Sequence, residues 1–149
     1  MRPSLSKIFD SRSIILDLKA TTKEAALIEL ADAITTAHPE CDRTSILAAL
    51  WEREKKLSTG IASGVAFPHA FYDNIDDMAG AIGVSKAGIE YDALDHKPVY
   101  VIFMLLTGAE ATDDHLQVIN KLFSLAQSED IELIIQAENI QTVKDILSR

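Results

Sequence analysis

The chain has 149 residues, 48% of them apolar and 25% charged, with a formal net charge of −9. That balance describes one globular domain with a sizeable core, and the acidic sign without any basic run disfavours nucleic-acid binding, which needs clustered Lys and Arg to neutralise phosphates. No apolar run approaches the roughly 18 residues of a membrane span, and Met1-Arg2-Pro3-Ser4 leads into no signal-type apolar segment, so a cytoplasmic location is expected.

Ser13 to Leu18, with Ile14, Ile15, Leu16 and Leu18, reads as a first short strand or extended segment. Thr21 and Glu24 have the spacing of a capping box, N-cap and N3, and Leu27, Leu30, Ala31 and Ile34 continue at helical period to about Ala37. Pro39 closes that helix. Asp42 is the next N-cap candidate, for a helix to about Lys56 whose apolar face carries Ile46, Leu47, Leu50 and Trp51. Cys41, between the two helices, is the only cysteine, which excludes an internal disulfide and a multi-cysteine zinc site. Its acidic neighbours raise its pKa, whereas a reactive thiolate wants cations beside it.

Val65-Ala66-Phe67 predicts a short buried strand, Met78 to Lys86 a second, and Gly88-Ile89-Glu90-Tyr91 a short extended piece before a turn at Asp95-His96-Lys97-Pro98. Val99 to Leu106 is continuously apolar, the pattern of a central strand covered on both faces by helices. Thr107 to Ala111 forms the loop leaving it. A helix is then expected from Thr112 or Asp113, burying Leu116, Ile119, Leu122, Phe123 and Ala126, followed by a short one from Ser128-Glu129-Asp130 to Ile135. Asn139 caps a last helix with Ile140, Val143, Ile146 and Leu147 inward. The order implies a single α/β domain with a central sheet flanked by helices on both faces.

One stretch concentrates the chemistry. Leu57 to Ala70 holds Gly60 and Gly64, the hydroxyls of Ser58, Thr59 and Ser63, and then Phe67-Pro68-His69. Pro68 biases Phe67 toward extended geometry, so His69 leaves the end of a strand from a stiff support. On local chemistry alone, an incidental histidine in a glycine-containing loop is the plainer reading. Arg53 lies in the last turn of the preceding helix, where the dipole favours a cation. From there its guanidinium also reaches the Ser58-Thr59-Gly60 loop and could hold a phosphoryl group.

Of the other histidines, His38 and His96 sit at turns beside prolines and are expected to be solvated. His115 lies in the first turn of the helix beyond the central strand, and ligands of open α/β sheets bind beyond the carboxyl ends of strands. A helix N-terminus attracts phosphate and disfavours a protonated imidazole. His115 could equally do no more than cap its neighbours. If His69 and His115 converge, two reactions suit them. One is phosphoryl transfer with His69 as nucleophile and with His115 and Arg53 positioning the group. The other is metal binding with Asp113 or Asp114 as a further ligand. With no His-Glu-x-x-His run, phosphoryl chemistry is preferred. Without a Walker or Gly-x-Gly-x-x-Gly motif, the phosphate would not come from a nucleotide in the usual loops.

Two blocks of sequence then carry a resemblance. Arg53-Glu54 followed by Ser58-Thr59-Gly60-Ile61 and Ala66-Phe67-Pro68-His69 forms the first. Gly88-Ile89-Glu90-Tyr91-Asp92-Ala93-Leu94-Asp95, Pro98-Val99, the apolar strand and His115-Leu116 form the second. In that order they resemble the enzyme IIA proteins of the phosphoenolpyruvate-dependent phosphotransferase system, in the mannitol, fructose and nitrogen-regulatory class, over residues 5–147. The resemblance implies a mixed sheet flanked by helices and a phosphoryl carrier in which His69 accepts a phosphoryl group from the phosphocarrier HPr through Nε2. It passes the group to an enzyme IIB domain or acts on a regulatory target. His115 and Arg53 support the group, Ser58 and Thr59 are candidate pocket residues, and no metal or organic cofactor is implied. Ala62 stands where the family usually has a second glycine, and Phe67 where it has an aliphatic residue. The Gly88 to Leu106 block is closer to the nitrogen-regulatory branch, so a regulatory output is expected, with a sugar-transport subunit as the nearest alternative. A binding module without phosphoryl turnover is the alternative of another class.

Overall fold

The computed structural model describes residues 4–56 and 64–149. In chain order it places α1 (Leu5–Ile8), a 3-10 turn at Ser11–Ser13, β1 (Ile14–Ile15), α2 (Lys23–Ala37), α3 (Arg43–Glu54), β2 (Val65–Ala66), β3 (His69–Phe71), β4 (Met78–Ile89), β5 (Val99–Thr107), a 3-10 run at Ala109–Asp114, α4 (His115–Ala126), α5 (Asp130–Ile135) and α6 (Ile140–Leu147). The α/β class and the central place of the apolar run hold. β5 lies between β4 and the β2–β3 edge, in the order β1-β4-β5-β2 with β3 also paired to β5. β4 is antiparallel to β5 and the other pairings are parallel, so the sheet is mixed.

Alternation along β5 separates two cores. Ile102, Met104 and Leu106 face α2 and α3, packing with Leu27, Leu30, Ile46 and Leu50. Val101, Phe103 and Leu105 point to the other face, where Ile8, Val118, Leu122, Ile134 and Val143 of α1, α4, α5 and α6 cover them. Burial on both faces is what a strand without polar alternation requires.

β2 and β3 lie end to end along β5. Val65 and Ala66 pair with Val101 and Ile102, and His69, Ala70 and Phe71 pair with Leu105, Leu106 and Thr107. The break between them falls at Phe67-Pro68, because proline has no N–H for a ladder, while the Pro68 carbonyl still accepts from Leu105 N–H at 2.9 Å. The sheet edge therefore aims His69 from a fixed register.

Several expected boundaries move. Thr22, not Thr21, caps α2 by accepting from Ala25 N–H, and Asp42 and Asn139 cap α3 and α6 as read from sequence. α1 is too short for periodicity to reveal. The extended segment near Ser13 to Leu18 contributes only Ile14–Ile15 as strand, and α3 ends at Glu54 rather than Lys56. β4 absorbs Gly88 and Ile89 through an irregularity between Val84 and Ile89, then continues as a bridge from Glu90 to Thr22. The helix expected from Thr112 begins instead as the 3-10 run at Ala109, and Val118, Ile119, Leu122 and Ala126 set the buried face of α4. Leu116 and Phe123 fall outside that arc and are exposed. Cys41 is buried, and burial followed by the charge of Glu40 pushes its thiol up to about 11.

Candidate active site

His69 opens β3, and its Nδ1 lies 2.7 Å from the carbonyl oxygen of Phe67, two residues earlier. A carbonyl only accepts, so Nδ1 carries the proton and donates it, and the lone pair is left on Nε2. Burial holds the pKa of His69 below the ordinary 6.5. The Phe67 hydrogen bond acts against that shift, the Arg53 charge adds to it, and the Glu54 charge opposes it. A neutral imidazole with a defined free nitrogen results.

His115 is the first residue of α4, and its Nδ1 lies 2.7 Å from Oγ1 of Thr107, the buried last residue of β5. Its pKa is also lowered, first by burial and then by the neighbouring His69. The expected cause, an open helix N-terminus, does not apply. The 3-10 run feeds directly into α4, and His115 N–H donates to the Thr112 carbonyl. Gly108, which precedes that run, packs closely against the backbone of Ile75 to Asp77. A Cβ there would lie 2.3 Å from the Ile75 carbonyl oxygen and 2.5 Å from that of Asp77.

The two imidazoles meet, with ring centroids 5.4 Å apart. Phe71, two residues beyond His69 on β3, lies 4.6 Å from the His115 ring and is exposed. Arg53 is half-buried at the end of α3, and its charge acts on His69. Ser58 and Thr59 lie outside the described residues. His96 is exposed in its turn at φ 60°. His38 is not simply solvated. Its Nδ1 lies 3.2 Å from Glu40, and its Nε2 is buried without a hydrogen-bond partner among the described residues.

Reasoning from sequence missed Thr107 and Phe71. The signal for Thr107 was a hydroxyl ending an otherwise apolar strand. For Phe71 it was the two-residue spacing from His69, which puts both on one face of a strand. Among the described residues no group of three or more His, Cys, Asp and Glu side chains could hold a metal ion, so the set with Asp113 or Asp114 is not assembled. Two neutral imidazoles, one with a directed lone pair, and a guanidinium acting on the same ring suit transfer of an anionic, electrophilic group.

Comparison with known proteins agrees with that chemistry. Residues 7–149 match the family described as the phosphoenolpyruvate-dependent sugar phosphotransferase system, EIIA 2. The chain belongs to this family. Its members are phosphotransferases that act as histidine phosphoryl carriers. The fructose-specific EIIA component of Haloferax volcanii is 37% identical, over 97% of this chain and 94% of that one. The crystal structure of the nitrogen regulatory protein IIA-Ntr from Neisseria meningitidis matches with a TM-score of 0.87 at 29% identity, over 96% and 98% of the two chains. The complex of mannitol IIA with phosphorylated IIB from Escherichia coli matches with a TM-score of 0.74 at 18% identity, over 93% and 96%, a likeness of fold. Among the described residues no helix is long and apolar enough to cross a membrane.

Proposed function

We propose that this IIA domain, spanning residues 5–147, is phosphorylated on Nε2 of His69. The observation that carries the reading is the hydrogen bond from His69 Nδ1 to the Phe67 carbonyl, which leaves Nε2 with its lone pair. The donor is a phosphohistidine on an HPr-like carrier. The Nε2 electron pair forms the new N–P bond as the donor's N–P bond breaks, and that bond's electrons stay with the donor imidazole. Because His69 is held neutral, no proton has to leave Nε2 first. His115 and Arg53 stabilise the oxygens of the phosphoryl group in transfer. The work is done in the cytoplasm.

The test is incubation with phosphoenolpyruvate, enzyme I and HPr, which should add one acid-labile phosphate per chain. Equal labelling of wild type and His69→Ala would show the assignment to be wrong. No labelling at all, with a donor that labels another IIA protein, would favour the binding module.

Two outputs are each supported by a specific likeness. A regulatory output follows the IIA-Ntr structure from Neisseria meningitidis. A transport output, with transfer to a separate IIB, follows the higher identity to a fructose-specific component, and a IIA–IIB complex is known for the mannitol protein of the same fold. Transfer of label from the phosphorylated chain to a cognate IIB cysteine selects transport. Its failure, with binding to another target that depends on the phosphorylation state, selects regulation.

A further inference from the structure

The carrier reading uses Arg53 but not the residue after it. Glu54 is buried, its side chain only 2% exposed, and its Oε2 lies 2.5 Å from Nζ of Lys23. Lys23 is the first residue of α2 and Glu54 the last of α3. The ammonium group also sits 4.8 Å from the ring centroid of Tyr91 and 5.9 Å from that of Trp51, inside the range of cation–π attraction. Trp51 and Glu54 are three apart on α3 and share a face. Tyr91 is brought to Lys23 by backbone: Lys23 N–H donates to the Glu90 carbonyl at 3.0 Å, and Glu90 N–H donates to the Thr21 carbonyl at 3.1 Å. Three elements thus converge on one ammonium group.

Such a cluster needs a reason. A buried carboxylate and a largely buried ammonium each lose hydration, and a well-packed apolar pair often serves stability as well or better. Arg53 is the next residue back along the helix, turned about 100° from Glu54 by the 3.6-residue period. Whatever fixes the last turn of α3 fixes where that guanidinium can reach.

We propose that the Lys23–Glu54 ion pair, held between Tyr91 and Trp51, is a positioning element of the phosphoryl site that locks the last turn of α3, and with it Arg53, against α2 and the end of β4. The inference rests on the carrier reading for its role in transfer. A second effect accompanies the mechanical one. The Glu54 carboxylate opposes the influence of burial and Arg53 on the His69 imidazole, so the pair acts on the His69 ring by charge as well as on Arg53 by position. Among the described residues the Phe67 carbonyl also acts on that ring, and the His115 ring lies beside it at 5.4 Å between centroids.

Glu54→Gln, Lys23→Met and the double variant separate positioning from bulk stability. Each single variant removes one partner of a buried ion pair and is expected to melt at lower temperature. The double variant carries no buried charge and is expected to regain the wild-type melting temperature. Phosphoryl uptake by the folded double variant should nevertheless stay about tenfold below wild type, a loss expected at the level of catalysis rather than of folding. The His69 titration midpoint, followed by NMR of the imidazole protons, should move down in Glu54→Gln and in the double variant. Lys23→Arg, which keeps the charge, should restore uptake. Uptake that simply returns with stability in the double variant, or an unmoved His69 midpoint, overturns the proposal. The titration needs no donor, so wild-type protein that takes up no phosphate would sink the carrier reading while the midpoint still decided whether Glu54 acts on His69.

Discussion

The two histidines of the site are mounted differently, and the difference suits the separate parts proposed for them. His69 leans on a backbone carbonyl, which can only accept, so one tautomer is imposed and one nitrogen is always free. His115 leans on the Thr107 hydroxyl, which can give or take a proton, so its far nitrogen can act as donor or acceptor as the occasion requires. A group that must attack benefits from the first mount. One that must follow a changing charge benefits from the second. Two imidazoles in van der Waals neighbourhood are thus made chemically unequal by their hydrogen-bond partners.

The comparison can be broken most completely at His69. His69→Ala should abolish labelling, with its melting temperature close to wild type because the ring is only partly buried. His115→Ala should still be labelled, on the order of 10² more slowly, as expected for loss of one charge-stabilising group, in single-turnover uptake from phosphorylated HPr. A variant that unfolds would instead assign His115 a structural part.

Thr107→Val keeps the shape of the buried side chain and removes the hydroxyl. Uptake should fall about tenfold, or 1.4 kcal/mol in the barrier, while the His69 tautomer seen by nitrogen NMR shifts stays unchanged. Gly108→Ala works on the same mount through the backbone, since its Cβ would collide with the carbonyls of Ile75 and Asp77. A loss of about 1–3 kcal/mol in denaturant unfolding is expected.

The smallest effect is that of pH. Both imidazoles have folded pKa values below the ordinary 6.5, so between those values and 6.5 the unfolded chain binds more protons than the folded one. Their contribution to stability is therefore present above about pH 6.5 and is lost as pH falls through the folded values. Denaturant unfolding of wild type and of the doubly substituted His69→Ala/His115→Ala protein should diverge at pH 7.5 and converge toward pH 5.

Much of this was legible in the residues. Continuous apolarity marked β5, Asp42 and Asn139 announced their helices, and Pro68 before His69 marked a stiff strand end. α1 escaped, because its four residues carry no measurable period, whereas the strand read in Ser13 to Leu18 was present but only two residues long. The exposure of Leu116 and Phe123 escaped for another reason. Both are apolar at helical spacing, and only the 3-10 entry and the packing of Val118 and Leu122 show which arc faces the sheet. Arg53 and His115 were found from their places at helix ends, whereas the link from Thr107 to His115 spans a loop that no periodicity describes. Glu54 stood beside Arg53 in the first block of the resemblance, yet nothing in the residues announced its burial. A glutamate at a helix end is normally solvated, and only the fold reveals that it is buried.

The pairing of β3 with β5 has a consequence for how such a site varies. His69 sits opposite Leu105 and Phe71 opposite Thr107, so the support of the proposed nucleophile and the hydroxyl beside the second ring are both graduated along one strand. β5 serves as a common ruler for the two. Helices around the sheet can drift as sequences diverge without altering the gap between those marks, whereas a slip of a single residue between β3 and β5 would turn His69 to the opposite side of the sheet.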